Sequence, residues 1–313
     1  MKLKPIEDQV VVLMGASSGI GREAAKRFAA RGARVVVSAR GLEGLETLVE
    51  EIRADGGVAT AVAADTTDPA AVQAVAEAAV AEHGRLDTWV QLAGVGLWAT
   101  FEDTTVEEFR RVIDIDLMGQ VYGAKAALPQ LRREGRGALV HVSSIEARRA
   151  FPFHSAYAAA KHGVDGFLEA LRVELRHDGV PIAVTQVLPG TIDTPLFDKA
   201  RTKIGRRPMG APPIYQPGTV ADMLLHAAAH GGRDLYAGGA ARFLALQQRM
   251  SPRMLDAFLA TRVGRRTLMT REPKSAMAPD NLFSPVSGRD TARNGFRARE
   301  HSLSNWIARR GSR

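Results

Sequence analysis

The sequence predicts an α/β protein with a doubly wound parallel sheet, covered by helices on both faces. Short apolar segments alternate with segments of helical periodicity along most of the chain, and no hairpin signal joins consecutive strands. A chain of 313 residues with 45% hydrophobic content could form about two domains. The unbroken alternation favours one.

The first unit of this alternation lies in residues 9–40. Residues 10–13 are an apolar run suited to a buried strand, helix formers fill residues 23–30, and residues 34–38 supply a second strand after Gly32. A turn rich in glycine and serine joins the first strand to the helix. Its bare backbone and the N–H groups of the helix N-terminus suit a bound phosphate, although such turns also occur for packing alone. The turn residues expected to contact a ligand are Gly15, Ser17, Ser18, Gly19, Ile20 and Gly21.

The later elements continue the same alternation. Expected helices cover residues 42–52, 106–132, 157–175 and 220–229, and another begins at Pro69. Expected strands cover residues 59–64, 87–93, 138–143 and 182–188, and an irregular stretch covers 191–217. Ligands of parallel sheets collect beyond the carboxyl ends of the strands. The unusual residues fall at these ends: the glycine turn, Arg40, Asp65, Gly94, Ser143, Ser144, Pro189 and Gly190.

Charge is distributed unevenly along the chain. The net charge is +8, but residues 1–200 carry 22 Lys and Arg against 27 Asp and Glu, whereas the remainder carries 20 against 7. A basic C-terminal part is compatible with nucleic acid, anionic lipid or an acidic partner, or with an ordinary solvated arginine-rich surface. Aromatic residues are not interleaved with the basic ones, so no specific nucleic-acid binding is expected.

The absence of cysteine excludes disulfides and thiolate metal sites and fits a reducing compartment. No metal site is expected. The N-terminal residues lack the apolar core of a secretory signal, and no apolar run is long enough to span a membrane. We therefore expect a cytoplasmic protein.

Three parts are expected along the chain. Residues 1–240 form the main domain, residues 241–264 an amphipathic helical extension, and residues 265–313 a basic, partly disordered tail. The extension is expected to pack on the body or on a neighbouring subunit, and peripheral membrane contact through its arginines is the weaker alternative. Residues 281–285 and Trp306 are candidate docking points in the tail.

Ser144 follows a predicted strand, and Tyr157 and Lys161 lie four residues apart on a predicted helix. This spacing places the phenol and the ammonium on one face of the helix. An adjacent ammonium favours the phenolate and lowers the pKa of a tyrosine, which would make Tyr157 an acid or base near neutral pH. The Ser144 hydroxyl could hydrogen-bond a carbonyl oxygen. The alternative is a core tyrosine with the lysine extended past it.

In combination, the glycine turn, Ser144, the Tyr157 and Lys161 pair, and Pro189-Gly190 with Thr194 resemble the short-chain dehydrogenase/reductase family over about residues 9–240. The resemblance implies a Rossmann-type domain, an oligomer of identical subunits, and hydride transfer between a nicotinamide cofactor and a carbonyl or secondary alcohol. It makes Tyr157 the proton donor in reduction, has Lys161 hold the nicotinamide ribose and lower the pKa of Tyr157, and has Ser144 polarise the substrate oxygen. The resemblance also implies that the cofactor contacts Ala93, Gly94, Pro189, Gly190, Ile192 and Thr194.

Two positions depart from the family pattern. Gln91-Leu92 stands where the family usually has two asparagines before Ala93-Gly94, and we expect these residues to repack the strand end without touching the chemistry. Asp116 stands where the family commonly has an asparagine that completes a water-linked proton relay to the lysine. We expect a retained relay with an altered pH dependence. The alternative is an aspartate satisfied by backbone groups inside its helix.

The end of the second strand predicts the cofactor. Ser38-Ala39-Arg40 stands where an acidic residue would bind the ribose hydroxyls of NAD, and the fork of Arg40 suits the 2′-phosphate of NADP. A plain surface arginine is the alternative, since Ser18 occupies a position that is often basic in NADP-using relatives. Asp65 resembles the family residue that contacts the adenine amine, or it stabilises the turn before Pro69.

Apolar side chains in the loops expected over the site predict a lipophilic ketone or alcohol as substrate, or else ordinary lid packing. They are Val95, Leu97, Trp98, Phe151, Phe153, Ile192, Leu196, Phe197 and Tyr215. Loop arginines that could take an acidic substrate, or simply be solvated, are Arg148, Arg149, Arg206 and Arg207. Two other functions stay open, a non-catalytic NADPH-binding regulator and a basic-tail adaptor for membrane or nucleic acid. The intact set of Ser144, Tyr157 and Lys161 favours an enzyme.

Overall fold

The computed structural model describes residues 2–300, so that Met1 and residues 301–313, with Trp306, lie outside the described residues. The strands are β1 Val10–Met14, β2 Arg34–Ala39, β3 Val58–Ala63, β4 Thr88–Gln91, β5 Leu97–Trp98, β6 Gly137–Val142, β7 Ile182–Pro189, β8 Thr191–Ile192, β9 Arg201–Thr202, β10 Arg206–Pro208, β11 Ile214–Tyr215, β12 Asp234–Ala237 and β13 Met269–Pro273. The helices are α1 Gly19–Ala30, α2 Glu43–Ala54, α3 Pro69–His83, α4 Val106–Ile113, α5 Gly119–Arg133, α6 Ser155–His177, α7 Leu196–Lys199, α8 Pro217–His230, α9 Gly239–Met250, α10 Pro252–Ala260 and α11 Arg262–Arg266.

Seven strands form one parallel sheet in the order β12-β7-β6-β4-β1-β2-β3. The chain runs outward from β1 to β3 and then returns to the other side of β1 with β4. The strand order therefore reverses between β1 and β4, and a crevice opens there beyond the carboxyl ends of the strands. The predicted doubly wound parallel sheet is confirmed.

Apolar side chains fill both faces of the sheet. On one face Phe28 of α1, Leu45 of α2 and Leu224 of α8 belong to one buried cluster. On the other, Leu131 of α5 and Leu168 of α6 belong to a second cluster, together with residues of α3. Every residue of β1 is buried because it lies between these two layers. Of the described helices, none is both long and apolar enough to cross a membrane.

The predicted helix over residues 106–132 contains a π-helical turn, Asp114–Met118, between α4 and α5. A capping box of Thr105 and Glu108 starts α4. Such wide turns shift the register of the helix and occur often at functional sites. Here the turn carries Asp116, whose side chain is fully buried.

The C-terminal extension is helical, as the sequence predicts. It divides into α9, α10 and α11, and Pro252 occupies the first turn of α10, where a proline lacks only an unneeded N–H. Leu255 and Leu259 are buried, whereas Phe243 and Met250 are exposed. One apolar side of the extension therefore faces the body.

Residues 265–300 contact the body of the protein, where the sequence predicts a mobile tail. Strand β13 pairs antiparallel with β10. Leu282 is fully buried, and its carbonyl accepts a hydrogen bond from Arg111 Nε at 3.1 Å. The buried carboxylate of Asp193 accepts hydrogen bonds from two backbone N–H groups of the tail. The domain limits at residues 240 and 264, and the mobility of the tail, stay predictions.

Candidate active site

The glycine turn between β1 and α1 has no room for side chains at its closest approaches. Gly15 has φ +99°, and a Cβ there would lie 2.6 Å from the backbone nitrogen of Ala93. A Cβ on Gly21 would collide with the carbonyl oxygen of Gly15. The N–H of Gly19 at the start of α1 donates a 2.8 Å hydrogen bond to the carbonyl of Thr291. Glycine is therefore needed for the path of the chain as well as for any ligand.

A cavity of about 490 Å³ lies beyond the carboxyl ends of the strands. Its wall includes each residue that the sequence predicts as a cofactor contact: Gly15, Ser17, Ser18, Gly19, Ile20, Gly21, Arg40, Asp65, Ala93, Gly94, Tyr157, Lys161, Pro189, Gly190, Ile192 and Thr194. Ser144 also lines it. Asp116 does not line the cavity, but it lies beside Lys161, which does. A volume of this size is ordinary for a small-molecule site.

Three of the predicted catalytic side chains meet at this wall. Helix α6 carries Tyr157 and Lys161 one turn apart, and the lysine Nζ lies 5.1 Å from the centroid of the phenol ring. Ser144 follows β6, and its Oγ accepts a hydrogen bond from the backbone of Glu146 at 3.1 Å. The hydrogen of the Ser144 hydroxyl stays available to another acceptor, and Ser144 acts on the phenol of Tyr157 in the direction that favours the phenolate.

The prediction of a lowered pKa for Tyr157 is wrong for the protein as it stands. Burial raises the pKa of the phenol, the carboxylates of Asp116 and Glu146 raise it further, and only the hydrogen bond from Ser144 opposes them. Burial also lowers the pKa of Lys161, a residue that is 3% exposed. Removal from water is thus the largest cause of the shift for both groups.

Asp116 links the π-helical turn to the site. Its Oδ1 accepts a hydrogen bond from the backbone nitrogen of Val95 at 3.0 Å and lies 3.9 Å from the Nζ of Lys161. Its buried Oδ2 has no hydrogen-bond partner among residues 2–300. Burial raises the pKa of this carboxyl to about 6, against the opposing charge of Lys161. Backbone groups therefore satisfy only one of its two oxygens.

Gln91 and Leu92, the other departure, have separate roles. The buried side chain of Gln91 accepts a hydrogen bond from Trp89 Nε1 at 2.8 Å and donates one to Thr66 Oγ1 at 3.0 Å. A Cβ on Gly123 of α5 would collide with the Gln91 amide. Gln91 thus packs the helix onto the sheet, whereas Leu92 lines the cavity.

Arg40 and Asp65 lie at the end of the cavity formed by β2 and β3. Arg40 is half-buried, its Nη2 donates to the carbonyl of Asn281 at 2.6 Å, and its buried Nη1 finds no acceptor in the described part of the chain. Asp65 accepts hydrogen bonds from the backbone and hydroxyl of Thr67 at 2.9 Å and pairs with Arg111 at 3.1 Å. Its carboxylate therefore stabilises the turn before α3, as one of the two interpretations of the sequence expects.

The sequence predictions missed two groups at the site. His154 lies between the rings of Trp98 and Tyr157, and its Nδ1 is 2.8 Å from Glu146 Oε1. Lys199 lies 3.2 Å from Ser18 Oγ, although the two residues are 181 positions apart. The Lys199 cation therefore stands beside the turn position that is not itself basic. No periodicity or motif marks either group in the sequence.

The apolar loop residues divide between the cavity and the packing behind it. Val95, Trp98, Phe151, Ile192, Leu196 and Phe197 line the cavity. Leu97 is buried in a neighbouring cluster, Phe153 packs beneath Arg265, and Tyr215 packs against Gly238. Fewer apolar side chains therefore line the cavity than the sequence predicts.

The four loop arginines are engaged away from the cavity. Arg148 pairs with Asp165 and Asp234, Arg149 with Asp256, and Arg207 with Asp198 and Glu272. Arg206 donates to a backbone carbonyl of the tail at 3.0 Å. None of the four lines the cavity within the described residues. The interpretation that they receive an acidic substrate is not supported.

Comparisons with known proteins agree with this geometry. The sequence model of the family described as short chain dehydrogenase matches residues 9–205. An uncharacterized oxidoreductase of Bacillus subtilis, YxnA, is 39% identical over 261 residues, which make up 83% of this chain and 73% of that protein. Dehydrogenase/reductase SDR family member 7B of Xenopus tropicalis is 34% identical over 268 residues, or 82% of this chain and 86% of that protein.

A solved structure has the same fold. The crystal structure of a variant of actinorhodin polyketide ketoreductase with NADPH superposes with a TM-score of 0.66 at 30% sequence identity, covering 75% of this chain and 98% of the ketoreductase. The family match spans the glycine turn, Ser144, Tyr157 and Lys161. The chain therefore belongs to the short-chain dehydrogenase/reductase family of oxidoreductases.

Proposed function

We propose that this protein is an NADP(H)-dependent reductase or dehydrogenase that interconverts a carbonyl compound and a secondary alcohol, with Tyr157 as its acid or base. One observation carries the proposal. Ser144, Tyr157 and Lys161 line the same cavity as the glycine turn and Arg40. A protein that only bound the dinucleotide would have no use for a phenol, an ammonium and a hydroxyl grouped at the far end of that cavity.

The residues of the cavity fit an NADP-type dinucleotide. The glycine turn is a cradle that a Cβ would fill, and the orphaned guanidinium nitrogen of Arg40 lies at the end of β2, where the 2′-phosphate would be recognised. Lys161 would hold the nicotinamide ribose, and Pro189, Gly190, Ile192 and Thr194 would surround the nicotinamide. When bound, the cofactor supplies or accepts the hydride. The ketoreductase neighbour was solved with NADPH, which supports the choice of NADP.

The chain's own groups then handle the proton. Because burial and carboxylates raise the pKa of Tyr157, the phenol keeps its proton at neutral pH, as an acid for carbonyl reduction must. The Ser144 hydroxyl is placed to hydrogen-bond the substrate oxygen beside the phenol and to stabilise charge that develops on it. In the oxidative direction Tyr157 must first lose its proton, so that direction is expected to need a higher pH.

Asp116 and Lys161 form the inner end of the proposed proton relay. With a pKa of about 6, Asp116 is a carboxylate at neutral pH and stabilises the ammonium of Lys161 at 3.9 Å. Its free Oδ2 is an acceptor for a water or a proton donor. An asparagine, which is common in the family at this position, could accept a hydrogen bond here but would not titrate.

The apolar wall indicates a lipophilic substrate. Trp98, Phe151, Leu196 and Phe197 line the same cavity as Tyr157. Burial of apolar substrate surface against them would supply most of the binding free energy. Assembly as an oligomer of identical subunits and a cytoplasmic location complete the proposal.

The experiment is the oxidation of NADPH, and of NADH in parallel, with a panel of lipophilic ketones and aldehydes. We expect consumption of NADPH in preference to NADH, and loss of turnover in Tyr157→Phe with NADPH binding retained. Full activity of Tyr157→Phe would contradict the role of the phenol. Tight NADPH binding without turnover of any substrate, in either direction, would instead indicate a cofactor-binding regulator.

A further inference from the structure

Residues 280–296, which we call the strap, cross the cavity along its nucleotide side. The strap is anchored at both ends. At one end Leu282 is fully buried and Asp280 pairs with Arg201 at 3.3 Å. At the other, the backbone nitrogens of Asn294 and Phe296 donate to the buried carboxylate of Asp193 at 3.1 and 3.0 Å. The middle of the strap is therefore held over the cavity, and Pro285, Val286, Ser287 and Asp290 contribute to its lining.

The strap places acceptors on three donors that suit phosphate. The carbonyl of Asn281 accepts from Arg40 at 2.6 Å, and the carbonyl of Thr291 accepts from the N–H of Gly19 at 2.8 Å. The carboxylate of Asp290 accepts from the ammonium of Lys199 at 3.1 Å. Of these three acceptors, only Asp290 carries a formal charge.

Lys199 is a side chain that needs an anion. Its side chain is 9% exposed, and the ammonium reaches past Ser18 into the mouth of the glycine turn. Among the described residues, Asp290 is the one carboxylate paired with it. A cation this far out of water is stable only beside an anion or several dipoles. Asp290 supplies that anion. Its carboxyl group packs closely on α2, because its Cγ lies only 2.7 Å from the place that a Cβ on Gly44 would occupy.

We propose that Lys199 binds a phosphate group of the cofactor, and that Asp290 competes with that phosphate for the Lys199 ammonium. This inference rests on the proposed function, because it concerns the same cavity. The 2′-phosphate and the pyrophosphate of the cofactor each carry more charge than one carboxylate and offer more acceptor oxygens, so either group can replace Asp290 on Lys199. The anchored strap keeps Asp290 at a high local concentration, which makes it an effective competitor even as a weak ligand.

The test is calorimetric titration of the full chain with NADPH and with NADH. Asp290→Asn keeps the size of the side chain and removes its charge, and we expect it to bind NADPH about tenfold more tightly than the unchanged protein. Lys199→Gln is expected to bind NADPH at least about tenfold more weakly than the unchanged protein. Combined with Asp290→Asn, it is expected to cancel the gain in NADPH affinity that Asp290→Asn gives alone. Glu272→Gln is the matched control, since it removes a carboxylate of the C-terminal part that pairs with Arg207 and does not line the cavity.

The two cofactors identify which phosphate is bound. If Lys199→Gln weakens the binding of NADPH but not of NADH, Lys199 binds the 2′-phosphate. If it weakens the binding of both cofactors equally, Lys199 binds the pyrophosphate. Lys199→Arg keeps the charge and is expected to retain binding, so it covers the case in which Lys199→Gln does not fold.

Three results would overturn the inference. Equal NADPH affinity in Asp290→Asn and the unchanged protein would show that Asp290 does not compete with the phosphate. Equal NADPH affinity in a folded Lys199→Gln and the unchanged protein would show that Lys199 does not contact the phosphate. Absence of NADPH binding in all of the proteins would overturn the assignment of the cofactor, and this inference with it. Either of the first two results, found while NADPH still binds, would leave the proposed function standing and refute the inference alone.

Discussion

The imidazole of His154 lies flat on the phenol of Tyr157, with ring centroids 4.3 Å apart and 10° between the ring planes. The indole of Trp98 covers the other face of the imidazole at 4.0 Å. Glu146 fixes the imidazole in its plane through Nδ1. The stack therefore restricts the orientation of the phenol ring.

We therefore predict that His154→Leu lowers kcat about tenfold with little change in the Kd for NADPH, because an aromatic contact contributes about 0.5–1.5 kcal/mol beyond burial. His154→Phe keeps a stacking ring but loses the bond to Glu146, and it should recover most of kcat. Steady-state kinetics with the best substrate of the panel measures both. Equal losses in the two variants would show that stacking is not what positions the phenol.

Asp116→Asn is predicted to change the pH dependence of turnover. The raised pKa of Asp116, about 6, means that its carboxylate forms as the pH rises through that value and then raises the pKa of Tyr157. The amide of asparagine can still accept from the backbone of Val95 but does not titrate. The pH–kcat profile of the variant should lack an inflection near pH 6.

In the oxidative direction, the same variant should reach full activity at a lower pH than the unchanged protein. The sign follows from the tyrosine: with one of its two neighbouring carboxylates neutralised, the phenol loses its proton more easily. Identical pH profiles for the two proteins in both directions would rule out a role for Asp116 in proton transfer.

Arg40→Leu is predicted to weaken NADPH binding about 10- to 100-fold while leaving NADH nearly unchanged, since a charge-assisted pair with phosphate contributes about 1.5–3 kcal/mol. Ala39→Asp should shift preference in the same direction by placing a negative charge beside that phosphate. Arg34→Leu is the control, because this exposed arginine lies at the opposite end of β2. Unaltered preference between the two cofactors in Arg40→Leu would contradict the assignment of NADP.

Gly15→Ala is predicted to destabilise the protein by more than Gly56→Ala and to abolish cofactor binding. Both glycines have positive φ, +99° and +81°, but a Cβ on Gly56 would meet nothing within 4 Å, whereas one on Gly15 would meet the backbone of Ala93. The comparison separates the cost of the dihedral angle, about 1 kcal/mol, from the cost of the collision. Urea unfolding measures the free energies, and equal losses in the two variants would mean that the turn can move to make room.

The sheet could be predicted because its strands are coded locally, as apolar runs bounded by glycine and polar residues. Strand β4 ends at Gln91 rather than at residue 93, because Leu92 and Ala93 already turn into the cavity. The π-helical turn was not predictable. Nothing local in residues 114–118 breaks a helix, and the contacts of Asp116 with Val95 and Lys161 come from other elements.

The electrostatics of the site were the least predictable part. From the sequence, Tyr157 has one visible charged neighbour, Lys161, which would lower the pKa of the phenol. The structure adds burial and two carboxylates, Asp116 and Glu146, which have the opposite effect. Lys199 and Asp290 meet only after the chain has folded back on itself, so neither residue type nor spacing could indicate their pairing.

Leu282 is fully buried against the cluster of Val95, Ile115 and Ala156 on which Tyr157 packs. It lies 77 positions beyond the last residue of the family match, which ends at residue 205. Shortening the protein to the region of the family match would thus remove Leu282 from beside the ring of Tyr157, admit water there and loosen the ring. Kinetic constants measured on such a shortened form would describe a damaged enzyme rather than the core of an intact one.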